Sequence, residues 1–178
     1  MSIARLSVLA LLAGCAATPP PITTADATPP SPIYRESLRD APRPRFYFST
    51  RTRQEAEQYG WDQLGIAFYA YVVQVPGSVP VYCETPASAP HSDYRFSTEP
   101  EAAAREDGWM RLNVAFYAFA QSMPGLVAVR AETPADDPTG PHDYATRDPV
   151  DARGFGWEAR EIAFYAVDPR LFDRERAD

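Results

Sequence analysis

Apolar and aromatic residues fall in short runs along this chain, broken by proline, glycine and aspartate, a pattern of strands and turns rather than of long helices. One run, Ile66-Ala67-Phe68-Tyr69-Ala70-Tyr71, is apolar on both faces and predicts a strand covered from each side. It returns at a fixed interval: Ala67-Phe68-Tyr69-Ala70 becomes Ala115-Phe116-Tyr117-Ala118 and then Ala163-Phe164-Tyr165-Ala166. Trp61, Trp109 and Trp157 keep the same 48-residue step, each directly after a glycine. So do Phe48-Ser49-Thr50, Phe96-Ser97-Thr98 and Tyr144-Ala145-Thr146. Upstream, Ile33-Tyr34-Arg35-Glu36 matches Val81-Tyr82-Cys83-Glu84 and Val129-Arg130-Ala131-Glu132. A register kept without gaps predicts three related units, at about 32–79, 80–127 and 128–168, followed by a charged tail over 169–178.

Within a unit the pattern predicts a β-rich run (32–37, 80–85, 128–133), a loop of Pro, Asp and Ala, and an aromatic run (46–50, 94–98). A short helix and the apolar strand follow. Thr98-Glu99-Pro100-Glu101 reads as a capping box with proline in the first turn, and an alanine-rich stretch runs on until Gly108 stops it. Thr52 to Glu55 and Asp148-Pro149 read as weaker helix starts. In the last strand, simple alternation puts Phe68, Phe116 and Phe164 on one face with Ile66, Val114 and Ile162, predicting core, and puts Tyr69, Tyr117 and Tyr165 on the other.

The junctions Val75-Pro76-Gly77-Ser78 and Met123-Pro124-Gly125-Leu126 predict hairpins between the last strand of one unit and the first of the next. A third hairpin can be made only by the two ends of the repeat. The expected fold is therefore mainly β (α+β): three pseudo-equivalent 48-residue units, each of about three strands and one short helix, closed into a ring by pairing of the first and last strands. The alternative is a β-trefoil-like arrangement.

Ahead of the repeat, residues 1–15 read MSIARLSVLALLAGC, with Arg5 before an apolar stretch that is too short for the ~20 residues of a membrane-spanning helix. The run Leu12-Ala13-Gly14-Cys15 is similar to the bacterial lipoprotein signal, which implies acylation of Cys15 and cleavage before it. Residues 16–31, with prolines at 19, 20, 21, 29 and 30, predict a tether that would reach roughly 50 Å in polyproline II conformation. Ala16, rather than an acidic residue, follows the cysteine, which by resemblance to Gram-negative lipoproteins implies the outer membrane.

The repeated stretch resembles a family of secreted bacterial repeats of unknown function, whose units read roughly P-V-Y-R, H-F-Y-T-T, a short Glu/Ala helix and G-W followed by E-G-I-A-F-Y. Gly60-Trp61, Gly65-Ile66-Ala67-Phe68-Tyr69 and Pro80-Val81-Tyr82 carry the resemblance, which spans about 32–167. The family's histidine falls on Phe46 and Tyr94 and is kept only as His142; its glutamate falls on Leu64, Leu112 and Arg160. What the resemblance implies is an accessory or surface-binding role, with no assigned reaction.

Composition narrows the chemistry. The 178 residues carry a net charge of −7, and every basic residue is arginine, so phosphate backbones and anionic lipid surfaces are repelled and nucleic acid is excluded as a partner. Two histidines at non-equivalent positions, His91 and His142, assemble no nucleophile with its base and no metal ligand set, so no catalytic residue, metal or cofactor is expected. His91-Ser92-Asp93 reads as a loop. The stretch from Asp136 to Asp143 reads as a solvated acidic turn in preference to a calcium site. Cys83 reads as a small buried side chain in preference to a redox thiol.

The three tryptophans are expected to cover the joint between helix and sheet. Tyr69, Tyr117 and Tyr165 are candidate platforms for sugar faces. Glu36, Glu84 and Glu132, the only charged position identical in all three units, either pair with arginine or offer polar groups to a ligand. The expected function is a non-enzymatic, lipid-anchored envelope module that binds a glycan, peptidoglycan or other envelope polymer through repeated sites. A protein-interaction or structural role in an envelope assembly is the alternative, and a hydrolase comes last.

Overall fold

The computed structural model describes residues 28–173. Cys15, the signal segment and the tether up to residue 27 lie outside the described residues, as does the end of the charged tail. The first stretch runs β1 (Ser31–Leu38), β2 (Phe46–Ser49), α1 (Arg53–Gln58), β3 (Trp61–Ala70). The second runs β4 (Val79–Pro86), β5 (Arg95–Ser97), α2 (Glu101–Glu106), β6 (Trp109–Ala118), and the third β7 (Leu126–Pro134), β8 (Asp143–Ala145), α3 (Pro149–Gly154), β9 (Trp157–Val167), with α4 (Arg170–Asp173) after it. The protein is mainly β, with two antiparallel sheets, β2-β1-β3-β9-β7-β8 and β5-β4-β6, and short helices.

The long ladders join the first and last strands of the same stretch. β1 runs against β3 from Ser31↔Ala70 to Leu38↔Trp61, β4 against β6 from Val79↔Ala118 to Pro86↔Trp109, and β7 against β9 from Leu126↔Val167 to Pro134↔Trp157. The junction hairpins expected above are therefore absent, and so is the pairing of first and last strands: β1 lies between β2 and β3, and β9 between β3 and β7. The junction turn itself forms, with the Ser78 amide bonding the Val75 carbonyl at 3.0 Å and its hydroxyl holding the Val75 amide and carbonyl, but the first strand of each stretch is taken by the long ladder to the last strand of that stretch, so the chain passes on to a new sheet. A helix between the second and third strands of each stretch also departs from an all-strand β-trefoil-like plan.

Backbone pairs between the stretches are few and specific. Single bridge pairs join Tyr71 to Tyr117, Phe119 to Tyr165, and Val167 to Tyr69. At the core, Phe48, Phe96 and Tyr144 form a triangle of edge-to-face rings with centroids 5.4, 5.6 and 5.6 Å apart. Phe68, Phe116 and Phe164 form a second triangle at 5.6, 5.5 and 5.6 Å. Each ring of one triangle stacks on one ring of the other, at 6.0, 6.1 and 6.3 Å. Edge-to-face pairs add about 0.5–1.5 kcal/mol each beyond their burial, so these rings hold the stretches together.

Two expectations are corrected by local geometry. Phe68, Phe116 and Phe164 are buried as predicted, but Ile66, Val114 and Ile162 are 43, 41 and 37% exposed. Ile33 faces Phe68 while Tyr34 faces Ile66, so Ala67 is an extra residue in the ladder, as are Ala115 and Ala163 in theirs. This bulge breaks the alternation and turns the aliphatic residue outward. The second correction concerns capping. Thr52 with Glu55 makes the full capping box, Asp148 caps α3, and α2 begins at Pro100 without a side-chain cap. Thr98 lies too far upstream to cap.

Candidate functional site

Among the described residues, Glu36, Glu84 and Glu132 are the most buried charges, each 0% exposed. Glu36 accepts from Ser49 Oγ at 2.6 Å and pairs with Arg51; Glu132 pairs with Arg147 through two guanidinium nitrogens. Arg51 and Arg147 stand at the same place in their stretches, but the middle stretch has Glu99 there. Glu84 is held instead by Arg95 Nε at 3.0 Å, Arg111 at 3.2 Å and Ser97 Oγ at 3.0 Å. Glu36, Glu84 and Glu132 thus take the arginine-pairing alternative: buried carboxylates need a cation and hydrogen-bond donors, and these have them.

Tyr69, Tyr117 and Tyr165 are half-buried, and among the described residues no ring contact joins them to one another. Tyr69 is covered by Phe172 of α4, stacked at 4.3 Å. Their register, with Tyr69 opposite Pro32 and Trp61 opposite Leu38, puts the tyrosines and the tryptophans at opposite ends of the strands.

At the tryptophan end, the loops 39–45, 87–94 and 135–142 converge. Trp61 packs on Tyr94 at 6.0 Å, Trp109 on His142 at 5.4 Å and Trp157 on Phe46 at 5.7 Å. The residue at the family's histidine position is therefore a staple against the tryptophan of the preceding stretch, or of the last one in the case of Phe46. His142 additionally places Nδ1 2.7 Å from Asp93 Oδ2 and donates its backbone amide to Oδ1 at 3.3 Å.

A cleft of about 290 Å³ opens between these loops, lined by Arg43, Arg45, Asp93, Trp109 and His142 within walls that include Pro42, Pro44, Pro86 and Pro141. The prolines fix their own backbone φ within these walls. Arg43 pairs with Asp137 at 2.8 Å, and Asp137 also accepts from Thr139 and closes a turn to Gly140. The acidic stretch is thus a paired turn, and among the described residues no group of three His, Cys, Asp or Glu could hold a metal ion. Sequence reasoning missed Arg45 and the cleft, because loops without a motif give no sign of meeting.

The joints between stretches differ chemically at equivalent positions. Asp143, 1% exposed on its side chain, accepts a bidentate Arg35 fork at 2.8 and 2.7 Å and the Tyr144 amide at 2.9 Å; burial raises its pKa and Arg35 opposes that. The counterpart joint has Tyr47 against Cys83. Burial pushes the Cys83 thiol up to about 12 and raises the Tyr47 phenol. Cys83 is fully buried, as a small core side chain.

Comparison with known proteins adds one finding. The chain belongs to the family described as Domain of unknown function (DUF5648), whose model matches residues 16–119. No curated protein and no solved structure matches it.

Proposed function

We propose that this chain is a non-catalytic, lipid-anchored module of the cell envelope that binds a glycan or envelope polymer at the loop cleft. The observation that carries this reading is the cleft itself: proline-rich walls, Trp109 and His142 in its lining, and polar groups from three loops facing one cavity. In this reading the three 48-residue stretches are pseudo-equivalent units arranged round one axis. The bridge pairs 71/117, 119/165 and 167/69, related by the repeat, support that arrangement. The anchor rests on Cys15 and its preceding run, with the outer membrane as destination.

Binding of the full chain to immobilised glycans and isolated envelope polymers tests the reading. Thr139→Trp, a substitution at an exposed position on the cleft lip, should abolish binding without changing thermal unfolding. Unchanged polymer binding in that variant would remove the cleft from consideration. Cys15→Ser should shift the protein out of the membrane fraction; if it stays anchored and normally processed, the lipid anchor is wrong.

A second reading, a protein-interaction or structural module, is favoured by the outward aliphatic residues Leu64, Ile66, Leu112 and Val114. Charged substitutions at Ile66 and Val114 that abolish co-purification of an envelope protein would support it over glycan binding.

A further inference from the structure

Resting on the cleft reading above, the geometry points to a carboxylate-bearing sugar, or an equally compact organic acid, as the group bound there, with Arg45 as the anion-binding residue. Of the two arginines lining the cleft, Arg45 alone has no carboxylate partner among the described residues; its hydrogen bond runs to the His91 carbonyl at 3.3 Å. Arg43 is held by Asp137 at 2.8 Å, and both Asp93 oxygens are engaged by His142. A ligand carboxylate therefore finds a guanidinium with donors to spare, and a planar fork suits bidentate carboxylate recognition. A neutral sugar leaves that cation unmatched.

Size restricts the ligand further. A volume of about 290 Å³ falls just below the ~300–1,000 Å³ typical of small-molecule pockets, room for about one sugar ring. The binding unit would then be a terminal or branching acidic residue of a polymer. With the protein at net charge −7, such a ligand is repelled over most of the surface, so binding should be confined to this cleft.

The test is calorimetric titration of the full chain with glucuronate and N-acetylmuramate against glucose and N-acetylglucosamine. The two acids should bind roughly tenfold or more tightly than the neutral sugars, as a charge-assisted contact requires, and should weaken as salt is raised. Arg45→Gln should erase the difference, whereas Arg39→Gln, whose arginine pairs with Asp62 outside the cleft, should leave it intact.

Equal binding of acids and neutral sugars would overturn the anion inference while leaving the cleft reading standing. A preference for acids that survives Arg45→Gln would move the anion site elsewhere and overturn it too. If no monosaccharide binds while an envelope polymer is still bound and Thr139→Trp does not affect that, both the inference and the cleft reading fall. Should Arg45→Gln fail to fold, the acid-to-neutral ratio and its salt dependence in the unaltered protein decide the question.

Discussion

Replacing Arg35 by alanine removes the main cation from Asp143, and the structure allows the cost to be worked out. Arg35 and Asp143 are 108 residues apart in sequence and join the first stretch to the third through two hydrogen bonds of 2.8 and 2.7 Å. Breaking a fully buried pair costs about 3–5 kcal/mol. Asp143 is 1% exposed on its side chain but Arg35 is 28% exposed, so water can partly replace the guanidinium, and roughly 2–4 kcal/mol is expected.

Arg147 is no substitute, because it stands 3.5 Å from Asp143 and is committed to Glu132. The stacking of Arg35 over Phe46 at 4.1 Å is lost as well. At about 3 °C per kcal/mol for a chain of this size, the melting temperature should fall by roughly 6–12 °C.

The sign of the pH dependence follows from the desolvated carboxylate. Burial raises the Asp143 pKa above its ordinary value, and without Arg35 it rises further. A folded state that holds its proton more tightly than the unfolded chain is most favoured below the unfolded pKa and loses that advantage as pH rises through the folded pKa. The Arg35→Ala penalty should therefore be smaller at pH 5 than at pH 8.

Urea unfolding of Arg35→Ala, Asp143→Asn and the double variant at both pH values is the assay. The double variant should be more stable than the sum of the single losses implies. A penalty below about 0.5 kcal/mol, additive losses, or a penalty that grows on acidification would each refute the reasoning.

Phe116→Ala, which opens a gap among Phe68, Phe96 and Phe164, should cost about 3–5 kcal/mol, whereas half-buried Tyr117→Ala should cost less than about 2 kcal/mol; comparable thermal losses for the two would contradict this assignment. Tyr144→Phe removes the hydroxyl that accepts the Phe96 amide at 2.8 Å, so despite matching Phe48 and Phe96 it should cost about 1–3 kcal/mol in denaturant unfolding. Cys83, buried with its thiol pushed up to about 12, should resist a thiol reagent at pH 8 in the native protein and react at once in denaturant; fast native labelling would show the joint to be open.

The mainly β character, the short helices and the burial of Phe68, Phe116 and Phe164 were legible in the sequence, because each depends on composition and spacing within a few residues. Which strands pair was not. The junction turns are compatible with a hairpin, and only the long ladders within each stretch decide that the chain passes on to a new sheet. Parity along the last strand failed for a related reason: the extra residue at Ala67, Ala115 and Ala163 exists only relative to a partner strand, so Ile66, Val114 and Ile162 look buried until that partner is known.

The position of Glu36, Glu84 and Glu132 could be read off the chain, but not its use. Their cations come from Arg51, from Arg95 with Arg111, and from Arg147, and no single spacing describes all three. The cleft lies still further from the sequence, since its lining comes from loops that approach only when the three stretches pack. Local propensity and periodicity settle what each segment becomes, whereas the pairing of segments, and any cavity left between them, is a property of the packed aromatic core.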